Sequence, residues 1–311
     1  MRRDRTLAYV AFAIVCTVWG TTYLAIRIGV ETIPPMLLTA ARYLTAGVIL
    51  FTVAWLRGDR PPRDARTLRN AAFVGVLMVG IGNLSVVWAE QWVPSGLAAL
   101  FVATAPFWAT LIELVHGSGE AIAGRRLAGM LIGFVGVALL VTPRGAGGAF
   151  DMHFLLGALV IQAGCVGWQS GTVYGKNTLG HVPPLMSSAL QMLCGGTAVF
   201  VAGVAAGEVP RFHLTPRTFA ALAYLTLFGS VLTYTAYVYA LKALRTTTMA
   251  LYAYINPVVA VILGWLILHE QLTWVSVVAM FVILGGVALV QSARIVYSAN
   301  APRAAADRRA A

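Results

Sequence analysis

At 311 residues, with 11% charged and 59% hydrophobic side chains, the chain departs sharply from the roughly 25% and 45–50% of soluble domains. No soluble core needs that much apolar surface, so a water-soluble enzyme or binding module is excluded. The net charge of +11 raises the question of a polyanionic partner, and the placement of the charges answers it below.

A bilayer crossing takes about 20 apolar residues. Ten stretches qualify, at approximately 7–27, 34–56, 68–90, 95–116, 126–142, 154–174, 183–206, 217–241, 247–268 and 273–293. The expected fold is therefore an all-α integral membrane protein with ten transmembrane helices. The first stretch follows Met1-Arg2-Arg3-Asp4-Arg5 like a signal peptide. It is too long for an ordinary signal core and lacks a small-x-small cleavage site, so it reads as a retained signal anchor. A turn-rich linker, Thr142-Pro143-Arg144-Gly145-Ala146-Gly147-Gly148, divides the chain into halves at 1–145 and 146–294, with a basic tail at 295–311. Five spans per half is an odd number, so the second half enters the membrane inverted relative to the first.

With the N-terminus inside, 17 Lys and Arg residues fall in cytoplasmic segments and four (Arg27, Arg144, Arg211, Arg217) in outer ones, with Arg42 left inside a span. That bias is the positive-inside rule, and it places both termini in the cytoplasm. The basic balance is a topology signal, and no nucleic-acid partner is expected. Cys16, Cys165 and Cys194 lie within spans and suit neither a disulfide framework nor zinc-ligand spacing.

The halves repeat. Trp19 returns as Trp168, Cys16 as Cys165 and Pro34-Pro35 as Pro183-Pro184, each shifted by 149 positions, and Pro106 returns as Pro257. In so apolar a chain, a half-length repeat points to a secondary transporter with its substrate site at the repeat interface.

Trp19-Gly20-Thr21-Thr22-Tyr23, Pro34-Pro35 and Arg42-Tyr43-Leu44-Thr45-Ala46-Gly47 resemble the opening of EamA-type members of the drug/metabolite transporter superfamily. The resemblance extends through Ala89-Glu90, Val93-Pro94-Ser95-Gly96, Ala105-Pro106-Phe107, Val173-Tyr174-Gly175, Tyr252-Ala253-Tyr254-Ile255-Asn256-Pro257 and His269-Glu270, and so covers nearly the whole chain. It implies ten helices in two inverted halves and export of amino acids or other small metabolites, the closest branch taking aromatic or broad amino-acid substrates. Members sharing these motifs move different solutes.

Charge inside a bilayer costs from about 2.5 kcal/mol upward, so each case needs a reason. Arg42 lies about 12 Å below the outer face at 1.5 Å per residue, too deep to snorkel. It contacts a substrate carboxylate or anion, or it sits in a buried ion pair or clamps helix-end carbonyls. Glu90 ends the third span on the same helical face as Asn83. It binds a substrate ammonium or a coupling proton, or it pairs with Arg27 or Arg42. Glu113 snorkels beside His116, and Glu120 and Glu270 read as helix-end caps.

Aromatic belts explain Trp55, Trp92 and Trp274 at span ends. They explain Trp19 and Trp168 less well, because both fall near midspan and recur. With Tyr23, Tyr234, Tyr252 and Asn256 these are expected to line a cavity between helices 1, 3, 4, 6, 8 and 9, the two tryptophans meeting across the pseudo-two-fold axis. Tyr237 and Tyr239 crowd the same eighth helix. Pro106 and Pro257 each remove a backbone donor at midspan and are candidate hinges. Gly129-x-x-x-Gly133 and Gly285-Gly286 permit close helix contact, within the bundle or in a homodimer.

No phosphate-cradling Gly-rich loop with Lys occurs, so ATP is not a direct energy source. The histidines form no metal-ligand pairs, and neither cofactor nor metal is expected. The reading is an inner-membrane secondary transporter that exports a small metabolite, foremost an amino acid, by alternating access, with substrate and membrane lipid as its partners. The rivals are a downhill facilitator of the same solutes, a broad drug or metabolite exporter, and an intramembrane enzyme. The last lacks any catalytic acid, base or metal set at one depth.

Overall fold

The computed structural model describes residues 2–115, 124–143, 145–146, 150–243 and 252–292. Among these residues the secondary structure is helical, with no strand. The helices run α1 Arg2–Gly29, α2 Pro35–Leu56, α3 Ala65–Ala89, α4 in two pieces (Ser95–Val102 and Ala105–Val115) and α5 Gly124–Leu140. They continue as α6 Met152–Thr178, α7 Pro184–Ala205, α8 from Pro216–Tyr224 through Leu225–Leu232 to Thr233–Ala243, α9 Tyr252–Leu268 and α10 Trp274–Ser292. Eight of the described helices are long and apolar enough to cross a membrane, and Leu127–Leu140 and Tyr254–Leu268 are shorter apolar ones. Large apolar side chains such as Leu159 and Phe281 stay exposed. That outer surface would be a liability in water and suits hydrocarbon.

Local sequence explains the ends. Both α2 and α7 open on a proline at the first helical position, where the missing N–H costs nothing. Both close on a glycine at positive φ, Gly58 at 92° and Gly207 at 70°, the left-handed conformation that ends helices at no steric cost. Asp64 and Asp151 accept hydrogen bonds from Thr67 N and Phe154 N, each at 2.7 Å, and these bonds hold both carboxyls below their ordinary range. Glu270 does cap a helix, but a distant one: its Oε1 accepts from Ser95 N at 2.7 Å and its Oε2 from Gly96 N at 3.1 Å. Glu208 Oε2 likewise accepts from Leu37 N at the start of α2, at 3.0 Å. Glu120 and His116, and the side chains of Glu113 and Tyr239, lie outside the described residues.

Two features were not expected. Within α3 the segment Val76–Asn83 is π-helical, and within α8 so is Leu225–Leu232, again 149 positions apart. The pattern of neighbours also maps onto itself when the halves are exchanged. α1 packs on α8 and α9 as α6 packs on α3 and α4, and α2 packs on α8 as α7 packs on α3. α2 pairs with α7, and α5 with α10.

Glycines set the tightest crossings. A Cβ on Gly75 would stand 2.3 Å from Gln191 O, and one on Gly195 would stand 2.4 Å from Gly75 O, so α3 and α7 touch backbone to backbone. Gly129 and Gly286 do the same between α5 and α10, each within 2.8 Å of the other's carbonyl by the same measure. The glycine motifs thus meet inside the bundle of one chain. The main apolar cluster joins Phe101 and Phe107 of α4, Phe154 and Ile161 of α6, and Ile283 of α10.

Candidate functional site

A cavity of about 240 Å³ lies at the centre of the bundle. Trp19, Tyr23, Arg42, Asn83, Trp168, Tyr234, Tyr252 and Asn256 all line it, as do Pro106 and Pro257. It draws on more helices than the six expected, because Arg42 and Tyr43 of α2 and Ser188 and Gln191 of α7 also face it. Those two helices are drawn in by the close α3–α7 crossing and by the α2–α7 pairing.

Glu90 does not reach the cavity. It shares a helical face with Asn83, but seven residues place it about 10 Å further along the axis, beyond Val86 where the lining ends. Its side chain is 0% exposed and neither carboxylate oxygen has a hydrogen-bond partner. The expected pairing with Arg27 takes another form, since Arg27 Nη1 donates to the backbone carbonyl of Glu90. Arg27 also lines a second, outer hollow with Glu31, Pro94, Arg217 and Glu270, where Arg217 Nη2 lies 3.1 Å from Glu31 Oε1.

Arg42 is 4% exposed. Among the described residues neither an ion pair nor a carbonyl clamp accounts for it: its Nε donates to Ser230 Oγ at 2.9 Å, while Nη1 is buried without a partner. Its guanidinium carbon lies 4.8 Å from the centre of the Tyr43 ring, a cation–π distance. Asn83 Oδ1 is likewise buried and unpartnered. Asn256 is engaged: with its amide nitrogen facing α1, it donates to Cys16 O at 2.7 Å and to Tyr252 O at 3.2 Å.

The two tryptophans do not form a common platform. Trp19 Nε1 donates to Gly229 O at 3.1 Å, and its ring meets Tyr237 and Tyr252 at 5.4 and 5.3 Å. Trp168 packs over Gly82, where an added Cβ would stand 3.0 Å from Trp168 Cβ. Among the described residues no ring contact joins them. Each instead touches the π segment of the opposite half, Trp19 at Gly229 O and Trp168 at Gly82.

The proline pair also divides. At Pro106 α4 is interrupted between Val102 and Ala105, whereas α9 runs through Pro257 without a break. The interruption is bridged by Gln162 of α6, a residue the sequence did not single out. Its Nε2 donates to Phe101 O at 3.2 Å, and its Oε1 accepts from Thr104 Oγ1 at 2.9 Å and Trp108 Nε1 at 2.8 Å. Gln169, one face-repeat later on α6, donates to Ala105 O at 3.2 Å. Ser230 was missed as well, because a lone serine in an apolar run carries no signal. A glycine recurring at mid-span, Gly80 as Gly229, was the one available pointer to the π segments.

A family model described as the EamA-like transporter family matches the chain twice, over residues 6–142 and 155–292. The chain belongs to the EamA-like transporter family. Both matched segments contribute lining residues to the cavity. An uncharacterized inner membrane transporter of Escherichia coli K12, YedA, is 37% identical over 91% of this chain and 90% of its own length. The uncharacterized transporter YoaV of Bacillus subtilis is 24% identical, covering 83% and 88%. Protein PecM of Dickeya dadantii is 25% identical, covering 88% and 89%. A solved crystal structure superposes with a TM-score of 0.62 at 20% identity, covering 91% of this chain and 95% of that one. At that identity the likeness is one of fold.

Proposed function

We propose that the chain is an inner-membrane secondary transporter that exports small metabolites, amino acids foremost, by alternating access between two inverted five-helix repeats. The carrying observation is a cavity lined by residues of both halves, among them Arg42, a buried cation whose Nη1 has no partner. Membership of a transporter family matched once per half supports the repeat. So does the exchange symmetry of the helix contacts. The inner membrane is the compartment named for the Escherichia coli relative. Counterflow of radiolabelled amino acids in proteoliposomes, with and without a pH gradient, tests the reading. Gradient-driven accumulation is expected. Equilibration indifferent to the gradient makes the protein a facilitator, and no movement of any amino acid removes that substrate class.

Reporter fusions test the inversion. Both termini, Arg63 and Arg125 are expected in the cytoplasm and Arg211 outside. A C-terminus on the outer side requires an odd number of spans and ends the inverted-repeat reading.

Glu90 is our coupling group. A fully buried carboxyl without hydrogen bonds is held at high cost unless it gains and loses a proton or a partner during the cycle. Glu90→Gln is therefore expected to lose part of the pH-gradient-driven uptake while counterflow persists. If the variant keeps the full pH dependence, the acid is structural.

A further inference from the structure

We infer that Arg42 and Asn83 form a two-point site for a zwitterion, Arg42 anchoring a carboxylate and Asn83 Oδ1 accepting from an amine. The inference rests on the amino-acid reading above and deepens it. Two residues that line one cavity each hold a buried, unpartnered polar atom, and the two atoms are of opposite kind. Arg42 Nη1 can only donate, and Asn83 Oδ1 can only accept. Among the described residues no carboxylate lies within ion-pair distance of Arg42, and Glu90, whose field reaches it, makes no side-chain hydrogen bond. A cation this deeply buried calls for a counter-charge, and the guanidinium fork matches a carboxylate with two parallel hydrogen bonds.

The positions of the supporting groups sharpen the assignment. Ser230 holds Nε of Arg42 at 2.9 Å and belongs to the π segment of α8, whereas Asn83 ends the π segment of α3. The first half therefore supplies both anchors, the cation from α2 and the acceptor from α3, and the second half fixes the cation from α8. A π turn opens the regular hydrogen-bond ladder, and here it carries a polar group into the cavity from each half. Ser230 is a positioning residue, acting through Arg42. Tyr43, beneath the guanidinium, closes its other side. The substrate side chain is left the surface between Trp168 and Pro106, which also line the cavity.

The test uses full-length protein in detergent and reads binding by thermal stabilisation and radiolabel displacement. The probes are the twenty proteinogenic amino acids, their carboxamides, and the amine-free acids lactate, 3-phenylpropionate and succinate. At least one free acid is expected to bind, with its carboxamide weaker by roughly 10–100-fold, the ratio that a charge-assisted hydrogen bond provides. Arg42→Gln is expected to abolish that discrimination, Arg42→Lys to restore part of it, and Ser230→Thr to preserve what Ser230→Ala reduces. Asn83→Leu is expected to weaken amino acids without weakening amine-free acids. Should Arg42→Gln fail to fold, the acid-to-amide ratio of the wild type decides alone. Equal binding of acid and amide, or failure of every free acid to bind, overturns the inference. Binding of an amine-free acid but of no amino acid keeps the carboxylate anchor and overturns the amine contact together with the amino-acid reading.

Discussion

Gly75→Ala should leave a protein that is markedly less stable, by about 1–3 kcal/mol or more, the range for forcing a methyl group into a filled core. The added Cβ would stand 2.3 Å from Gln191 O and 2.9 Å from Gly195 N. Both neighbours are backbone, so no rotamer change relieves the contact and the helices must separate. Gly75 immediately precedes the π segment Val76–Asn83, and Gln191 lines the cavity, so the separation should reach the site. The measurement is the melting temperature read from monodisperse protein after heating. Gly285→Ala is the control, because nothing lies within 4 Å of a Cβ there and alanine is the better helix former. If both variants melt together, α3 and α7 are not locked as described.

Trp168→Ala is expected to weaken substrate binding by roughly three- to tenfold while expression and the detergent elution profile stay near wild type. An aromatic contact contributes about 0.5–1.5 kcal/mol beyond area burial, and about 1.4 kcal/mol is tenfold in affinity. Among the described residues the two tryptophans share no ring contact. The effect rests on Trp168 alone, half-buried over Gly82 with its ring on the cavity wall. Trp19, by contrast, is tied to Gly229 O and to two tyrosines, and Trp19→Ala should damage folding more than binding. Aggregation of Trp168→Ala with residual affinity intact would identify the ring as packing.

The helices were legible because a bilayer imposes length and apolarity on each span, and prolines and glycines mark ends in plain view, as Pro35 and Gly58 do for α2. Most of the cavity residues were legible for a related reason: a polar or polar-tipped side chain at mid-span needs justification, and Arg42, Asn83 and Trp168 announced themselves. What the chain did not disclose is partnership. Nothing near Glu270 in sequence says that it caps a helix beginning at Ser95, and Gln162 looks like any polar residue until the break in α4 stands beside it. The π segments were hidden for another reason, since an apolar run reads the same whether its carbonyls bond four or five residues on. Depth misled in one place, where Glu90 shared a face with Asn83 but not a level.

The matched π segments put the same backbone irregularity at the same place in both halves. Bonding across five residues widens the turn and breaks the regular hydrogen-bond ladder, here at positions related by the 149-residue shift of the sequence repeat. In that register Asn83 stands where the second half has Leu232, and Arg42 where it has Gln191, so like backbones carry unlike side chains and the two halves cannot bind the same group in the same way.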